Sequence, residues 1–289
     1  MRRRFFVEKF QNGGAVLQGE AAHHLARVLR AEPGQLYELS DGEAVWLART
    51  QDIGRDSVEF ALVERLPALL PTLHITLLLA IVKFDRFEWA IEKATELGAD
   101  EIVPLATERS EKGLVTASAK RALRWKKILV ESAQQSRRLR APVLHDAATP
   151  SEAFRTDNSQ IRILLSERAG AKPMRELLEP TTPSGHVNGA VKLAIAIGPE
   201  GGWTGAEFTA ATEHGFAEAA LGINILRTET AVCAALAAAQ YAFGAFRQTA
   251  GSSDISPDRL PNGSPDSSPD KLTLARAVKE KGSREFSDE

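Results

Sequence analysis

From residue 72 onward the chain consists of nearly uninterrupted apolar runs, each followed by helical text, and this repetition constrains the fold more than any other feature. The runs are Leu73 to Val82, Glu101 to Leu105, Ile161 to Leu165, Val191 to Ile197 and Ala219 to Leu221. A strand that is apolar on both faces must be covered on both faces, which an α/β domain achieves by placing a parallel sheet between helix layers. The helix expected over Phe84 to Leu97 sets Phe87, Ile91, Ala94 and Leu97 on one face and Arg86, Lys93 and Glu96 on the other, with Gly98 as its stop. The last helix, Thr230 to Phe246, is dominated by alanine. Such a surface lets another backbone approach closely, either within the chain or in a second copy.

The text ahead of these runs is different. Between Arg4 and Leu66, short alternating segments are punctuated by Asn12-Gly13-Gly14, Glu32-Pro33-Gly34 and Ser40-Asp41-Gly42-Glu43. Strands are expected at Gln35 to Leu39, Ala44 to Ala48 and Ser57 to Leu62, with one helix over Glu20 to Leu29, which together make a small β-barrel. Leu66 to Pro71 carries two prolines and reads as the linker. The expected domains are residues 1–68, 72–248 and a tail, 249–289, in which Ser-Pro-Asp recurs. Nothing in that tail can bury enough apolar area to offset its ordering entropy, so it is expected to be disordered and dispensable for fold and activity.

A formal charge of -2 excludes wholesale polyanion binding, so any nucleic-acid contact must rest on local clusters. Ser110 to Arg140 is such a cluster, with Lys112, Lys120, Arg121, Arg124, Lys126, Lys127, Arg137, Arg138 and Arg140 against Glu111 and Glu131. It is either a solvated helical face or a phosphate-binding surface. His23 and His24, beside Arg27 and Arg30, lack the spacing of paired metal ligands and suit RNA contact or helix packing; no metal is expected. The single cysteine, Cys233, cannot make an internal disulfide and reads as a small buried residue. The apolar stretch after the basic opening is broken by Glu8 and Lys9, too short for a signal peptide, and no run reaches the roughly 20 apolar residues of a membrane span. The cytoplasm is the expected location.

Two loops carry candidate chemistry. Ile197-Gly198-Pro199-Glu200-Gly201-Gly202-Trp203-Thr204 runs from an apolar strand into a glycine-rich turn, with Thr204 and Glu207 able to cap the next helix. Stripped of side chains, the turn can wrap a flat ligand through main-chain groups, or it is an ordinary tight turn. It is not the dinucleotide fingerprint. Leu221 to Ala231 forms a second strand, loop and helix start, and two such loops at the carboxyl ends of parallel strands make a ligand crevice.

These residues resemble the ribosomal RNA small subunit methyltransferase E family, the uridine-N3 methyltransferases of the SPOUT superfamily. The matching text is His23-His24-Leu25 with Val28-Leu29-Arg30, Lys83 with Arg86, Glu88, Ile91, Lys93 and Thr95 to Gly98, then Glu108-Arg109-Ser110. It continues in Arg124-Trp125, Glu131 to Arg138, Gly198 to Gly202, Leu221-Gly222 and Ile225 to Ala231, so that residues from about 4 to 247 are covered. Phe84 and Arg137 stand where the family pattern has glycine, and Thr204 where it has serine.

The resemblance implies a PUA-like β-barrel ahead of a trefoil-knotted parallel-sheet domain, an exception to the avoidance of knots. It further implies a homodimer with cofactor sites near the subunit interface, S-adenosyl-L-methionine as cofactor, and N3 of a uridine in 16S rRNA, within the assembled small ribosomal subunit, as substrate. Cofactor contacts would then fall at Leu165, Ser166, Gly198, Pro199, Glu200, Gly201, Gly202, Leu221, Gly222, Ile225, Leu226, Thr230 and Ala231. RNA contacts would fall at Arg3, Arg4, His24, Arg27, Arg30, Lys83, Arg86, Arg109, Arg124 and Arg138. The methyl carbon and N3 must be held close and in line. Forming the N3 anion at neutral pH costs about 3 to 4 kcal/mol, for a group two to three pKa units above neutral. Glu200 and Glu229 are candidates to take the proton and Arg227 to stabilise the anion. Each has a second reading: Glu200 as a brace of its loop, Glu229 as a cap of the last helix, Arg227 as a phosphate ligand. Methylation of a ribose 2′-hydroxyl, and a non-catalytic RNA-binding assembly factor, are the alternative functions; the second has no need of a cofactor crevice.

Overall fold

The computed structural model describes residues 3–179, 190–243 and 246–248, with backbone only at 69, 70 and 246–248. Arg2 and the Ser-Pro-Asp tail lie outside the described residues.

The amino-terminal text forms β1 (Arg4–Phe6), β2 (Gly14–Gln18), α1 (Gly19–His23), β3 (Leu36–Ser40), β4 (Val45–Ile53) and β5 (Ser57–Leu66). The strands make one sheet in the order β1-β3-β4-β5-β2, with β1 parallel to β3 and the other pairs antiparallel. Phe5, Leu17, Leu25, Leu39, Val58 and Phe60 share its core, each 2% exposed or less. The helix expected over Glu20 to Leu29 is only partly α-helical: after His23 it widens into a π-helical stretch, His24–Val28, with Leu29 N–H donating to His24 O. Left-handed Arg30 (φ 51°) follows it. Widening keeps Leu25 in the core while Arg27 and Arg30 remain exposed.

The expected linker is not simply a linker. β6 (Leu69–Pro71) pairs antiparallel with β14 (Phe246–Gln248), so the last helix ends at Phe243 rather than Phe246 and the chain then turns into a strand. Proline at a strand end is tolerated, because the missing N–H costs no ladder bond there. Between these strands lie β7 (Leu73–Ala80), α2 (Phe84–Glu96), β8 (Ala99–Leu105), α3 (Lys112–Gln135), β9 (Val143–Leu144), α4 (Pro150–Thr156), β10 (Ile161–Leu165), β11 (Lys172–Pro173), α5 (Met174–Leu178), β12 (Val191–Ile197), α6 (Gly205–Glu213), β13 (Ala217–Ala220) and α7 (Thr228–Phe243).

The second sheet runs β11-β13-β10-β12-β7-β8-β9, and all its pairs are parallel. Its two faces alternate residue by residue, as strand geometry requires. Ile75, Leu77 and Leu79 of β7, with Leu193, Ile195 and Ile197 of β12, enter a core shared with α2, α3 and α7. Leu78, Leu164, Ala194 and Ala196 face the other way, onto Phe154, Trp203 and Phe216. Each fully buried leucine or isoleucine contributes about 1.5 to 3 kcal/mol, and the β7–β12 seam carries several of them. The α2 helix stops where Gly98 takes a φ of 93°. Phe84, a departure from the family pattern, packs edge-on to Trp125 of α3 (ring centroids 6.0 Å apart), and the Arg121 guanidinium lies over its ring (4.7 Å).

Several arginines of the basic segment are structural. Arg138 donates to Asp100 Oδ1 (2.7 Å) and Thr95 O (2.9 Å), while Asp100 Oδ2 accepts from Ile75 N–H (3.0 Å). Arg4 pairs with Glu38 (3.0 Å) and donates to Arg137 O (2.6 Å), and Ser40 Oγ donates to Leu139 O (2.7 Å). The barrel is thereby tied to the loop after α3. Arg137 sits at a φ of 55°, the backbone region that accounts for glycine in the family pattern.

Arg138 and Asp100 are 14% and 18% exposed, so removing the guanidinium leaves a carboxylate largely shielded, with only the His74 ring at 3.6 Å beside it as an ion-pair partner among the described residues. Arg138→Ala should lower the unfolding free energy by about 3 kcal/mol in urea denaturation. A variant as stable as the parent would refute this structural role.

Candidate active site at the carboxyl edge of the parallel sheet

The strands β10, β12 and β13 end side by side, and the loops that follow them enclose a cleft of about 490 Å³. Leu165 ends β10 and Ser166 follows it, Gly198 to Trp203 follow β12, and Leu221 to Leu226 follow β13. Of the residues expected to touch a cofactor, Leu165, Ser166, Gly198, Pro199, Glu200, Gly201, Gly202, Leu221, Gly222, Ile225, Leu226 and Ala231 all line this cleft. Thr230 does not. The lining is apolar at Leu165, Ile197, Leu221, Ile225 and Leu226 and bare main chain at the glycines, which suits a flat, partly apolar ligand held through backbone groups.

The glycine loop is held rigidly from several directions. Gly202, at a φ of 70°, donates its N–H to Pro199 O (2.8 Å) and closes the turn. Thr228 Oγ1, in the first turn of α7, donates to Gly198 O (3.1 Å). Arg109 Nη1 donates to Gly201 O (2.6 Å), and Arg86 pairs with the Glu200 carboxylate (2.8 Å). Trp203 is 6% exposed and lies under Gly198, where an added Cβ would stand 3.0 Å from the indole; its Nε1–H donates to Leu165 O (2.9 Å). The loop after β12 is thus bonded to the last residue of β10. Thr204 and Glu207 form the expected capping box on α6, and Glu207 Oε1 also accepts from Glu108 N–H (3.0 Å).

Trp203 and Glu108 are not among the residues to which the sequence assigns a role at the site. An indole directly after two glycines was the available sign, since a buried Trp N–H requires an acceptor. The acceptor itself belongs to another strand.

The three catalytic candidates are placed differently. Glu200 lines the cleft, already paired with Arg86. Arg227 is exposed, off the wall, between Leu226 and Thr228, which do line it. Glu229 also lies off the wall; its Oε2 is buried without a hydrogen-bond partner among the described residues, and it shares with Lys93 and Glu96 the surroundings of Cys233. Cys233 is half-buried, and burial raises its thiol pKa.

Among the residues expected to touch RNA, Arg4, Arg86, Arg109, Arg124 and Arg138 are engaged within the chain, Arg124 with Glu88 on α2 (2.8 Å). Arg3 donates to the His24 ring (3.1 Å). Arg27, Arg30 and Lys83 are exposed, with no side-chain partner among the described residues. Within the basic helix, Arg121 also pairs with Glu88 and Lys127 with Glu20 of the barrel, whereas Lys120 and Lys126 are unpaired among the described residues.

A family described as an RNA methyltransferase domain matches residues 69–240, and one described as an RNA methyltransferase PUA domain matches residues 17–63. The ribosomal RNA small subunit methyltransferase E of Synechocystis is 33% identical over 218 residues, 74% of this chain and 69% of that protein. The chain belongs to the ribosomal RNA small subunit methyltransferase E family. Two solved structures share its architecture. A Neisseria gonorrhoeae member of the family, bound to S-adenosyl methionine, is 31% identical with a TM-score of 0.72, covering 83% of this chain and 98% of its own. A Legionella pneumophila methyltransferase in complex with the bound cofactor SAM is 29% identical with a TM-score of 0.73, covering 84% and 98%.

An added Cβ on Gly201 would lie 3.3 Å from Arg109 Cβ and Cδ, tighter than ordinary packing, so a branched side chain there must displace either the arginine or the ligand space. Gly201→Val should weaken S-adenosylmethionine binding at least tenfold by calorimetry while the melting temperature changes little. Parent-like affinity would show that the loop is merely structural.

Proposed function

We propose that this protein transfers a methyl group from S-adenosylmethionine to N3 of a uridine in 16S rRNA, acting on the small ribosomal subunit. The observation that carries the reading is the glycine-loop cleft at the carboxyl edge of β10, β12 and β13, in a chain whose family and cofactor-bound relatives are RNA methyltransferases. The cofactor fits the residues present: bare main chain at Gly198, Gly201, Gly202 and Gly222 admits close approach, and Leu165, Ile197 and Leu226 offer apolar surface for a nucleoside. When bound, S-adenosylmethionine supplies the electrophilic methyl group. The task of the chain is to hold N3 in line with that group, shed water and stabilise the uracil anion.

Arg227 carries the last role in this reading. It is an exposed cation without a side-chain partner among the described residues, flanked by two residues of the cleft wall. Glu200, already neutralised by Arg86, is a brace in the free enzyme and becomes available as a base only when that pair opens. Glu229 serves α7.

The protein acts as a cytoplasmic homodimer. In support, Ile223 and Tyr241 are 100% and 96% exposed beside an apolar groove lined by Met174, Leu178, Leu221 and Ala238, continuous through Leu221 and Gly222 with the cofactor cleft. The trefoil knot fits the strand order, since the chain passing from β12 to β13 steps back across β10. No helix among the described residues is long and apolar enough to cross a membrane.

Nucleoside analysis of 16S rRNA from cells with and without this gene tests the reaction: N3-methyluridine should disappear with the gene, and loss of a 2′-O-methylated nucleoside instead would move the target to ribose. RNA docking falls to the unpaired cations. Replacing Arg27 and Arg30 together by alanine should flatten the plot of log affinity against log salt by roughly 1.4 to 1.8 for unmethylated small-subunit particles, at 0.7 to 0.9 per phosphate contact. Affinity for S-adenosylmethionine should stay at the parent value. An unaltered slope would remove the barrel from RNA recognition.

A further inference from the structure

The family resemblance marks Arg109 as an RNA contact, but its geometry assigns another task. It is presented by a turn with little freedom: Ser110 N–H donates to Thr107 O (3.1 Å), the two hydroxyls meet at 2.8 Å, and Ser110 Oγ is bonded to Ile81 O beyond the end of β7 (2.8 Å). Thr107 and Ser110 are 5% and 6% exposed, so this anchor is shielded from water. Next to it, Glu108 N–H is held by Glu207, the residue that caps α6. From this fixed turn the Arg109 side chain runs under Gly201, its Cβ and Cδ within 3.3 Å of the position a Gly201 Cβ would take, and its Nη1 donates to Gly201 O at 2.6 Å.

We propose that Arg109 is a positioning residue for the cofactor: by holding the Gly201 carbonyl and filling the space beneath it, Arg109 fixes the peptide planes of the glycine loop that receive S-adenosylmethionine. The proposal rests on the reading of that loop as the cofactor site. Its logic is preorganisation. A turn made of glycines has many alternative conformations, and a ligand that must select one of them binds more weakly by the population it selects from. Pro199 restricts one end of the loop, the Gly202 to Pro199 bond closes it, and Arg109 grips the carbonyl between. The proposal thus assigns Arg109 to the glycine loop and leaves RNA docking to Arg27, Arg30 and Lys83.

Three substitutions test it. Arg109→Met keeps the stem and removes the donor, Arg109→Lys keeps both, and Gly201→Val reports on the loop itself. Binding of S-adenosylmethionine and of 5′-methylthioadenosine, which has the nucleoside but lacks the amino-acid end, is measured by calorimetry on the full chain. The salt slope for unmethylated small-subunit particles is measured alongside. Arg109→Met should weaken both small ligands by about tenfold, the scale of one lost charge-assisted hydrogen bond. Arg109→Lys should restore most of that loss. With methyl donor at saturation, kcat should stay near the parent value, so the defect appears in KM, and the salt slope should not change.

A parent-like affinity in Arg109→Met together with a flatter salt slope would return Arg109 to the RNA surface and overturn the proposal. A loss confined to S-adenosylmethionine, with methylthioadenosine unaffected, would make the arginine a direct ligand of the amino-acid end and equally overturn it. Failure of Arg109→Lys to recover binding would reject the carbonyl bond as the operative contact. If Gly201→Val also binds like the parent, the loop reading itself fails; if only Gly201→Val is impaired, the brace alone fails.

Discussion

The parallel pairing of β7 with β12, from Val191 against Leu73 to Ile197 against Leu79, is the constraint on which the rest of the molecule depends. It joins the early strands of the catalytic domain to the late ones and buries apolar residues on both faces of the seam. Because both strands run the same way, the loops leaving their carboxyl ends emerge at one edge. Arg86 and Arg109, which come from segments after β7 and β8, thereby reach the glycine loop after β12. A shift of one residue in this register would turn each strand's large side chains to the opposite core. The cleft would then lose its floor.

Most of the site consists of main-chain atoms held in place by side chains from other elements. Gly198 O is held from α7, Gly201 O from the turn after β8, and Trp203 ties the loop to β10. Such an arrangement suits a cofactor whose methyl group must be delivered along one line. Orientation is set before the ligand arrives, and less of the binding energy is spent on ordering the loop.

The near-neutral chain uses its cations in two ways. Those facing a carboxylate or a carbonyl, such as Arg4, Arg124 and Arg138, hold the barrel to the catalytic domain and the helices to each other. Those without side-chain partners among the described residues, such as Arg27, Arg30, Lys83, Lys120 and Lys126, gain most from a phosphate. Counting charges along Ser110 to Arg140 overstates the RNA surface, since Glu20, Glu38, Glu88 and Asp100 come from other segments and neutralise part of it.

The sequence by itself determined the features that depend on local periodicity and local chemistry. The apolar runs placed most of the strands of the parallel sheet within a few residues, Gly98 ended α2, and the Thr204 and Glu207 spacing specified the cap of α6, because each is a property of neighbours along the chain. The position of the glycine loop was legible for the same reason. Tertiary structure alone decided what closes that loop, which arginines are spent internally, that β6 pairs with β14, and that the barrel helix widens after His23. These depend on which carbonyl or carboxylate comes within about 3 Å of a given donor. That distance is set by segments far apart in the chain, and a cation in a sequence carries no mark of the partner that will neutralise it.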